Sequence, residues 1–140
     1  MIMVIFSAQD SDANINKISP VLFINAYPNL ESLAIPNTEA LLPFTSKVRN
    51  FGTKASWIIQ IAQELKADKN IPTNLSDLIA LKGIGRKSAN VILREKNKSA
   101  EGIIADLHVI RVATRIRIIS EIKDGNKVEK QLMENLPKDI

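Results

Sequence analysis

Hydrophobic residues recur along this chain with the three- to four-residue spacing of amphipathic helices. The clearest set lies near the middle of the chain and would form one helix face: Trp57, Ile58, Ile61, Ala62 and Leu65. Thr53 is the predicted N-cap of this helix. No segment alternates apolar and polar residues for long enough to indicate a sheet, so the pattern predicts an all-α fold.

The second half of the chain repeats the pattern in four shorter helices. Thr73 would cap the first, and the second would run from Lys87 to Arg94. Asp106 precedes the third as an N-cap or first-turn residue. Asn126 would cap the last helix, which continues through Leu136 and ends before a proline.

The first third of the chain is interrupted by prolines. Asp12 is the predicted cap of a helix that Pro20 would kink or end. Short helices are predicted over Asn29–Ile35 and Glu39–Leu42, between prolines. The apolar opening Met1–Phe6 fits a strand or a buried helix equally well.

Composition narrows the class of protein. The 140 residues are 45% hydrophobic and 24% charged, which is typical of one globular domain, or of one domain with part of a second. No apolar run reaches the roughly 18 residues of a membrane span, and the opening lacks the basic flank and the cleavage pattern of a signal peptide. Cysteine is absent, which excludes disulfides and thiolate metal sites within these residues and fits an intracellular location.

The formal net charge of +4 is unevenly distributed. Between Leu81 and Lys98 there is a single acid, Glu95. The basic side chains of the same stretch are Lys82, Arg86, Lys87, Arg94, Lys96 and Lys98. Such a cluster is typical of a surface that contacts nucleic-acid phosphates, although a solvated helix face can have the same composition.

Two glycines in this stretch favour the phosphate interpretation. Gly83 and Gly85 lie between two predicted helices, where a hairpin would leave backbone N–H groups open to a phosphate. A side chain would block that approach, and the turn needs dihedral angles that glycine tolerates. The alternative is a tight connection between helices that binds nothing.

Lys87 and Asp106 add chemistry to the predicted phosphate site. Lys87 lies in the first turn of the helix after the hairpin, where a deprotonated amine could act as a nucleophile. Asp106 could stabilise positive charge that develops when a glycosidic bond breaks, or help to take up a proton. A phosphate-contacting lysine and a plain helix cap are the alternatives. The lone histidine, His108, is assigned to packing rather than catalysis.

Taken together, four motifs resemble the endonuclease III family of the helix-hairpin-helix DNA glycosylase superfamily. They are Ser7-Ala8-Gln9 with Asp12, Lys54-Ala55, the Gly-Ile-Gly-Arg-Lys-Ser run within Leu81–Val91, and Asp106-Leu107-His108 with Arg111-Val112. Their nearly colinear spacing covers essentially the whole chain. The resemblance implies a six-helix domain over residues 1–99, which contains the hairpin motif (81–94), and the incomplete start of a second helical domain over 100–140. The segment Lys96–Gly102 is a predicted loop.

The resemblance also implies a role for each site residue. The family lysine matching Lys87 attacks C1′ of a flipped-out damaged nucleotide, and the resulting Schiff base permits strand cleavage by β-elimination. The aspartate matching Asp106 assists that attack, and the glutamine matching Gln9 fills the gap left in the duplex by the departing base. The other predicted DNA-binding residues are those of the hairpin: Lys82, Gly83, Gly85, Arg86 and Ser88.

The function implied is that of a DNA N-glycosylase with abasic-site lyase activity in base-excision repair. Lys87 indicates the bifunctional class, because monofunctional relatives lack a lysine there. The expected partner is double-stranded DNA with an oxidised pyrimidine or an abasic site, in the cytoplasm with the nucleoid. A non-catalytic helix-hairpin-helix DNA-binding fragment is the first alternative, and a helical protein-interaction bundle is the second.

The sequence departs from the family pattern in several places. Lys82 replaces the usual proline, Leu107 replaces the usual threonine, and the loop Arg49–Gly52 lacks the glycine-aromatic pattern that wedges the opposite strand. The family has a helix before the segment matching Met1 and four cysteines for a [4Fe-4S] cluster after Leu136. We therefore expect a chain truncated at both ends that binds no cofactor. An uncovered apolar face on the Asp106 helix would favour weak stability or self-association.

Overall fold

Helices are the only regular elements in the part of the protein that the structure, a computed structural model, describes: residues 1–98 and 101–137, without the side chains of Asp12 and Ile24. The predicted all-α fold is confirmed over these ranges. The α-helices are α1 (Ile2–Ser7), α2 (Asp12–Ser19), α3 (Leu30–Leu33), α4 (Thr38–Thr45), α5 (Phe51–Leu65), α6 (Leu75–Ala80), α7 (Arg86–Glu95), α8 (Leu107–Arg115) and α9 (Gly125–Asn135). A π-helical segment (Pro20–Ala26) follows α2, and a short 3₁₀ turn (Asp68–Asn70) follows α5.

The chain forms two compact units, Met1–Ile84 and Gly85–Ile140, called here the N-terminal and C-terminal units. The division into domains at residues 99 and 100 stays a prediction, and the loop predicted over Lys96–Gly102 lies partly outside the described residues. No helix in the described ranges is both long and apolar enough to cross a membrane.

The N-terminal unit is organised around α5. This helix contacts α1, α3 and α4, while α2 contacts α1 and the π-helical segment. Of the predicted apolar face, Ile58, Ile61 and Ala62 are fully buried. They join a core with these other members: Ile5, Phe6, Leu22, Leu30, Leu33, Leu41 and Leu78. Each such side chain contributes about 1.5–3 kcal/mol by leaving water, so this core accounts for most of the unit's stability.

The C-terminal unit has a smaller core, formed where α8 contacts α9. Its buried members are Ala113, Ile119, Val128 and Leu132. Partly buried side chains from the segments around α8 and α9 pack against them, among them Ile103, Val109 and Ile118. The α7 helix predicted from Lys87 to Arg94 is present, and its residues Ala89, Ile92 and Leu93 are buried.

Four of the five predicted helix caps are wrong by one to three positions. The N-cap of α5 is Asn50 rather than Thr53, and the N-cap of α2 is Ser11 rather than Asp12. Ser11 is the N-cap because its hydroxyl oxygen accepts a hydrogen bond from the Asn14 N–H at 3.2 Å. Asn50 adopts a left-handed conformation (φ 56°), which asparagine tolerates better than threonine does.

The caps of α6 and α9 are Asn74 and Asp124 instead of Thr73 and Asn126. The Asn74 side chain accepts from the Asp77 N–H, and Asp124 accepts from the N–H groups at the start of α9. The Asp106 cap is confirmed.

The proline-rich part of the chain is more helical than its sequence predicts. Met1–Phe6 belongs to a helix, and Pro43 lies inside α4, which continues to Thr45 instead of ending at Leu42. Pro20 does end α2, and the chain continues as a π-helical segment. Pro20 is the first residue of that segment, where a backbone N–H would have no acceptor within the segment, so the N–H that proline lacks is not needed there.

Candidate nucleic-acid interface

The hairpin turn between α6 and α7 begins with a glycine that the interior requires. Leu81 and Ile84 are buried on either side of it, and the Ile84 N–H donates to the Leu81 carbonyl at 3.2 Å. Gly83 has φ +77°, in the left-handed region, and a Cβ there would collide with the indole of Trp57. No side chain fits at Gly83 without moving Trp57.

Gly85, by contrast, faces open space. It is the N-cap of α7 and offers no side chain to accept from the first turn, and a Cβ built on it would meet nothing within 4 Å. The N–H groups of Arg86, Lys87 and Ser88 precede every carbonyl that α7 could supply. In the same unit, aspartates cap α8 and α9. The start of α7 therefore has both the polarity and the room for an external anion.

Lys87 and Asp106 interact electrostatically within the C-terminal unit. Lys87 is exposed in the first turn of α7, and Asp106 caps α8 through its Oδ1, which accepts from the His108 and Val109 N–H groups at 2.9 and 2.8 Å. The Val109 hydrogen bond is the main reason why the pKa of Asp106 lies below its ordinary value. Partial burial opposes that shift, whereas the His108 hydrogen bond and the nearby Lys87 ammonium add to it.

This arrangement provides an exposed amine that interacts electrostatically with a carboxylate, and the lowered pKa keeps that carboxylate ionised at neutral pH. Both capping hydrogen bonds of Asp106 use Oδ1, so neither occupies Oδ2. Oδ2 can therefore accept a proton or lie beside developing positive charge. The pair could serve as a nucleophile with an electrostatic partner.

Arg86 takes part in an ion pair that the sequence did not reveal. Its Nε donates to Oε2 of Glu129 on α9 at 2.7 Å, and Glu129 is only 5% exposed. Glu129 also lies against the backbone of Gly102, where a Cβ would collide with its carboxylate. The available signal was an acid at a core position of α9, between Val128 and Leu132. The DNA-binding role of Arg86 stays a prediction.

The other hairpin residues keep their predicted places. Lys82 is exposed in the turn, and Ser88 is half-buried in the first turn of α7. The remaining exposed basic residues of the C-terminal unit include Arg94, Lys98, Arg111, Arg115 and Arg117.

Gln9 lies in the N-terminal unit at the tip of a tight turn. The Asp10 N–H donates to the Ser7 carbonyl at 3.0 Å, Ala8 has φ −58° and ψ 117°, and Gln9 has φ +60°. These values define a type II turn with Gln9 at its third position. The side chain is exposed and lines a small concavity with Asn50, Thr53 and Trp57, among others.

Lys54 lies beneath this turn. The sequence marked it only as part of a family motif, yet it is 4% exposed, and its Nζ donates to the carbonyls of Phe6 and Ala8 at 2.8 and 2.5 Å. Burial lowers the pKa of Lys54. Asp10 continues the network by accepting from the Arg49 N–H at 2.8 Å, which is the main cause of the lowered pKa of Asp10.

The residues present do not fit the iron–sulfur cluster that the resemblance associates with the family. That cluster is held by cysteine thiolates, and the 140 residues contain no cysteine. Over residues 1–98 and 101–137, no group of histidines and carboxylates is arranged to hold a metal ion.

The chain is similar to known DNA repair proteins over almost its whole length. Residues 2–138 match the model of the HhH-GPD superfamily, base excision DNA repair proteins. The endonuclease III of Haemophilus influenzae is 34% identical over 145 residues, an alignment that covers 100% of this chain and 66% of that protein. The endonuclease III of Synechocystis is 29% identical over 139 residues, which cover 98% of this chain and 63% of that protein. The chain thus spans about two thirds of these relatives or slightly less.

Solved structures show the same likeness. A trapped endonuclease III–DNA covalent intermediate, in an estranged-adenine complex, superposes with a TM-score of 0.85 at 31% identity, over 99% of this chain and 65% of that one. A non-covalent endonuclease III–DNA complex gives 0.84 at 31% identity, over 99% of this chain and 64% of that one.

Proposed function

The chain belongs to the HhH-GPD superfamily of base excision DNA repair proteins, and we propose that it is a DNA N-glycosylase with abasic-site lyase activity. The observation that carries the proposal is the electrostatic interaction between the exposed Lys87 amine and the Asp106 carboxylate within one unit of the chain. Support comes from relatives named endonuclease III, one of which has been trapped as a covalent intermediate with DNA.

In the proposed reaction the Lys87 amine, after losing a proton, attacks C1′ of the damaged nucleotide. The glycosidic C–N bond breaks and its electron pair leaves with the base, which takes up a proton. Opening of the sugar ring gives a Schiff base between Lys87 and C1′. Loss of a proton from C2′ then expels the 3′ phosphate by β-elimination, and water releases the lysine. Asp106 would stabilise the positive charge that develops at the sugar.

DNA would be held by the hairpin and the basic surface around it. The uncapped start of α7 is suited to a backbone phosphate, because its N–H groups lack acceptors within the helix and Gly85 leaves room for the approach. The exposed Lys82 and arginines of α8 would add sequence-independent attraction. Removing the target base from the stack costs a few kcal/mol, which these contacts would offset.

We further propose, from the family resemblance, oxidised pyrimidines and abasic sites in duplex DNA as the substrates, and the nucleoid in the cytoplasm as the location. Gln9 would fill the space of the flipped nucleotide. Its exposed position at the tip of a turn is consistent with that role.

We also propose that a second copy of the chain covers part of α8. Val112 and Ile116, four residues apart and therefore on one face of α8 and its cap, are 50% and 61% exposed. Sedimentation should show a concentration-dependent dimer that Val112→Ser with Ile116→Ser abolishes. A wild-type chain that stays monomeric at high concentration contradicts this.

The test of the enzymatic function is borohydride trapping of the wild-type chain on a duplex with one abasic site. The wild type should form a covalent adduct, and Lys87→Gln should reduce it more than 100-fold. Lys69→Gln, at an exposed lysine of the N-terminal unit, is the matched control and should trap normally. Asp106→Asn should slow trapping by about 10²-fold.

Two outcomes would count against the enzyme. An adduct that persists in Lys87→Gln would show that another amine is the nucleophile. Salt-dependent duplex binding with no adduct in the wild type would select the non-catalytic helix-hairpin-helix module.

A further inference from the structure

Gln9 adopts a backbone conformation that its own chemistry does not favour. Its φ of +60° lies in the left-handed region. Residues with a Cβ disfavour this region roughly 5- to 30-fold, and glycine is the usual occupant of the third position of a type II turn. An exposed residue held in such a conformation requires that the surrounding structure impose it.

One hydrogen bond holds the peptide group on which this conformation depends. Type I and type II turns differ by a flip of their central peptide, which here joins Ala8 to Gln9. The carbonyl of that peptide belongs to Ala8, and it accepts from the Lys54 ammonium at 2.5 Å. A flipped peptide would direct this oxygen away from Nζ, so Lys54 selects the type II form.

The same ammonium is fixed from a second direction. It also donates to the Phe6 carbonyl at the end of α1, at 2.8 Å, and it is 4% exposed. The far end of the turn is held independently, because the Asp10 carboxylate accepts from the Arg49 N–H before α5 at 2.8 Å. The turn is therefore anchored at its central peptide and at its last residue.

We infer that Lys54 is a positioning residue for DNA recognition: its hydrogen bond to the Ala8 carbonyl holds Gln9 in the left-handed conformation that presents the Gln9 side chain for insertion into the duplex. This inference rests on the proposed function, in which Gln9 fills the space of the flipped nucleotide. Lys54 is buried, so it would act on DNA only through Gln9.

The conformational part of the inference is tested without DNA. Glycine at position 9 should be favoured over alanine as long as Lys54 holds the type II turn. The unfolding equilibrium of Gln9→Gly should therefore favour the folded state two- to five-fold more than that of Gln9→Ala. In the Lys54→Met background this preference should disappear or reverse. An unchanged preference for glycine in that background overturns the inference.

The functional part is tested by the affinity for a duplex with a tetrahydrofuran abasic-site analogue relative to an intact duplex. The wild type should prefer the analogue, and Lys54→Met should reduce the ratio about 10-fold. In a Gln9→Ala background the same substitution should change the ratio less than two-fold. A purely structural role of Lys54 would reduce both affinities in both backgrounds and leave no coupling, which overturns the inference.

The design separates failure of the inference from failure of the proposed function. A wild-type chain that does not distinguish the two duplexes overturns both. A wild-type chain that does distinguish them, with equal effects of Lys54→Met in both backgrounds, overturns only the role of Lys54. If Lys54→Met does not fold, Lys54→Gln takes its place. Its NH2 group has two N–H donors, but the side chain is one atom shorter and uncharged, so it should keep part of the hydrogen bonding and give the same coupling at about half the size.

Discussion

The two units of the chain each bury a charged side chain next to a predicted DNA-contacting residue, but they satisfy that charge to different degrees. In the N-terminal unit, the Lys54 ammonium donates to two carbonyls beneath the Gln9 turn. In the C-terminal unit, Glu129 holds Arg86 through Oε2, while its Oε1 has no hydrogen-bond partner among the described residues. The ammonium therefore has hydrogen-bond partners on two sides, whereas one oxygen of the carboxylate has none.

The two hairpin glycines also differ, in how closely the rest of the protein surrounds them. Gly83 is confined by Trp57 inside the N-terminal unit, whereas Gly85, at the start of the C-terminal unit, has empty space beside it. The start of α7 also lacks a side-chain cap. The comparison indicates that packing confines the first glycine, whereas the second leaves room beside the first N–H groups of α7.

The largest expected effect comes from alanine at the two glycines. Gly83→Ala should lower the free energy of unfolding by about 2–4 kcal/mol, because the left-handed backbone and the Trp57 collision both oppose a Cβ. Gly85→Ala should lower it by less than about 1 kcal/mol, the cost of alanine at an N-cap, but weaken duplex binding, since the Cβ would occupy the path of a phosphate. Urea unfolding and binding at low salt measure the two quantities.

Gly52→Ala is the control for both substitutions. Gly52 is exposed in the first turn of α5 with nothing near its Cβ position, so alanine should be neutral or slightly stabilising and leave DNA binding unchanged. Equal losses of stability at Gly83 and Gly85 would contradict the contrast between a confined glycine and an open one.

The buried charges should rank next. Lys54→Met removes the donor that serves two carbonyls, and both are then left without this hydrogen bond. We therefore expect the free energy of unfolding to fall by about 2–4 kcal/mol. Glu129→Gln keeps the shape and one acceptor for Arg86, and should lose only about 1 kcal/mol. Urea unfolding at neutral pH would measure both losses.

A larger loss from Glu129→Gln than from Lys54→Met would reverse the comparison. It would show that the hydrogen bonds of the Glu129 carboxylate stabilise the fold more than those of the Lys54 ammonium do. Arg86→Gln is the partner variant, and its effect should not add fully to that of Glu129→Gln, because both substitutions remove the same ion pair.

Local sequence patterns were sufficient to predict the helices, but not to predict the hydrogen bonds and ion pair that hold the site residues in place. Periodicity located α5 to α9 because each has an apolar face. Asp106 was identified as a cap because no other capping residue adjoins it. Thr73 was preferred to Asn74, its neighbour, and only the fold decides which of two adjacent capping residues is used.

The two buried charges were beyond the reach of local patterns. Lys54 contacts Phe6, which lies 48 residues earlier, and Arg86 contacts Glu129, which lies 43 residues later. A buried lysine and a buried glutamate are rare enough that composition favours exposure for both. The burial of both side chains can be recognised only once the fold brings these distant segments of the chain into contact.

The smallest effect should be a pH-dependent one at Asp106, on the surface of the C-terminal unit. Its folded-state pKa lies below its ordinary value near 3.8, mainly because of the Val109 N–H. Folding therefore favours the anion, and the resulting stability is present above pH 4 and lost as the pH falls through the folded pKa. Asp106→Asn keeps a capping side chain without this titration. The variant should be less stable than the wild type by about 0.3–1 kcal/mol at pH 6, and the difference should be smaller at pH 3. Urea midpoints at the two values measure it. A difference that persists unchanged at the lower pH would show that the carboxylate charge contributes nothing, and that hydrogen bonding alone fixes the start of α8.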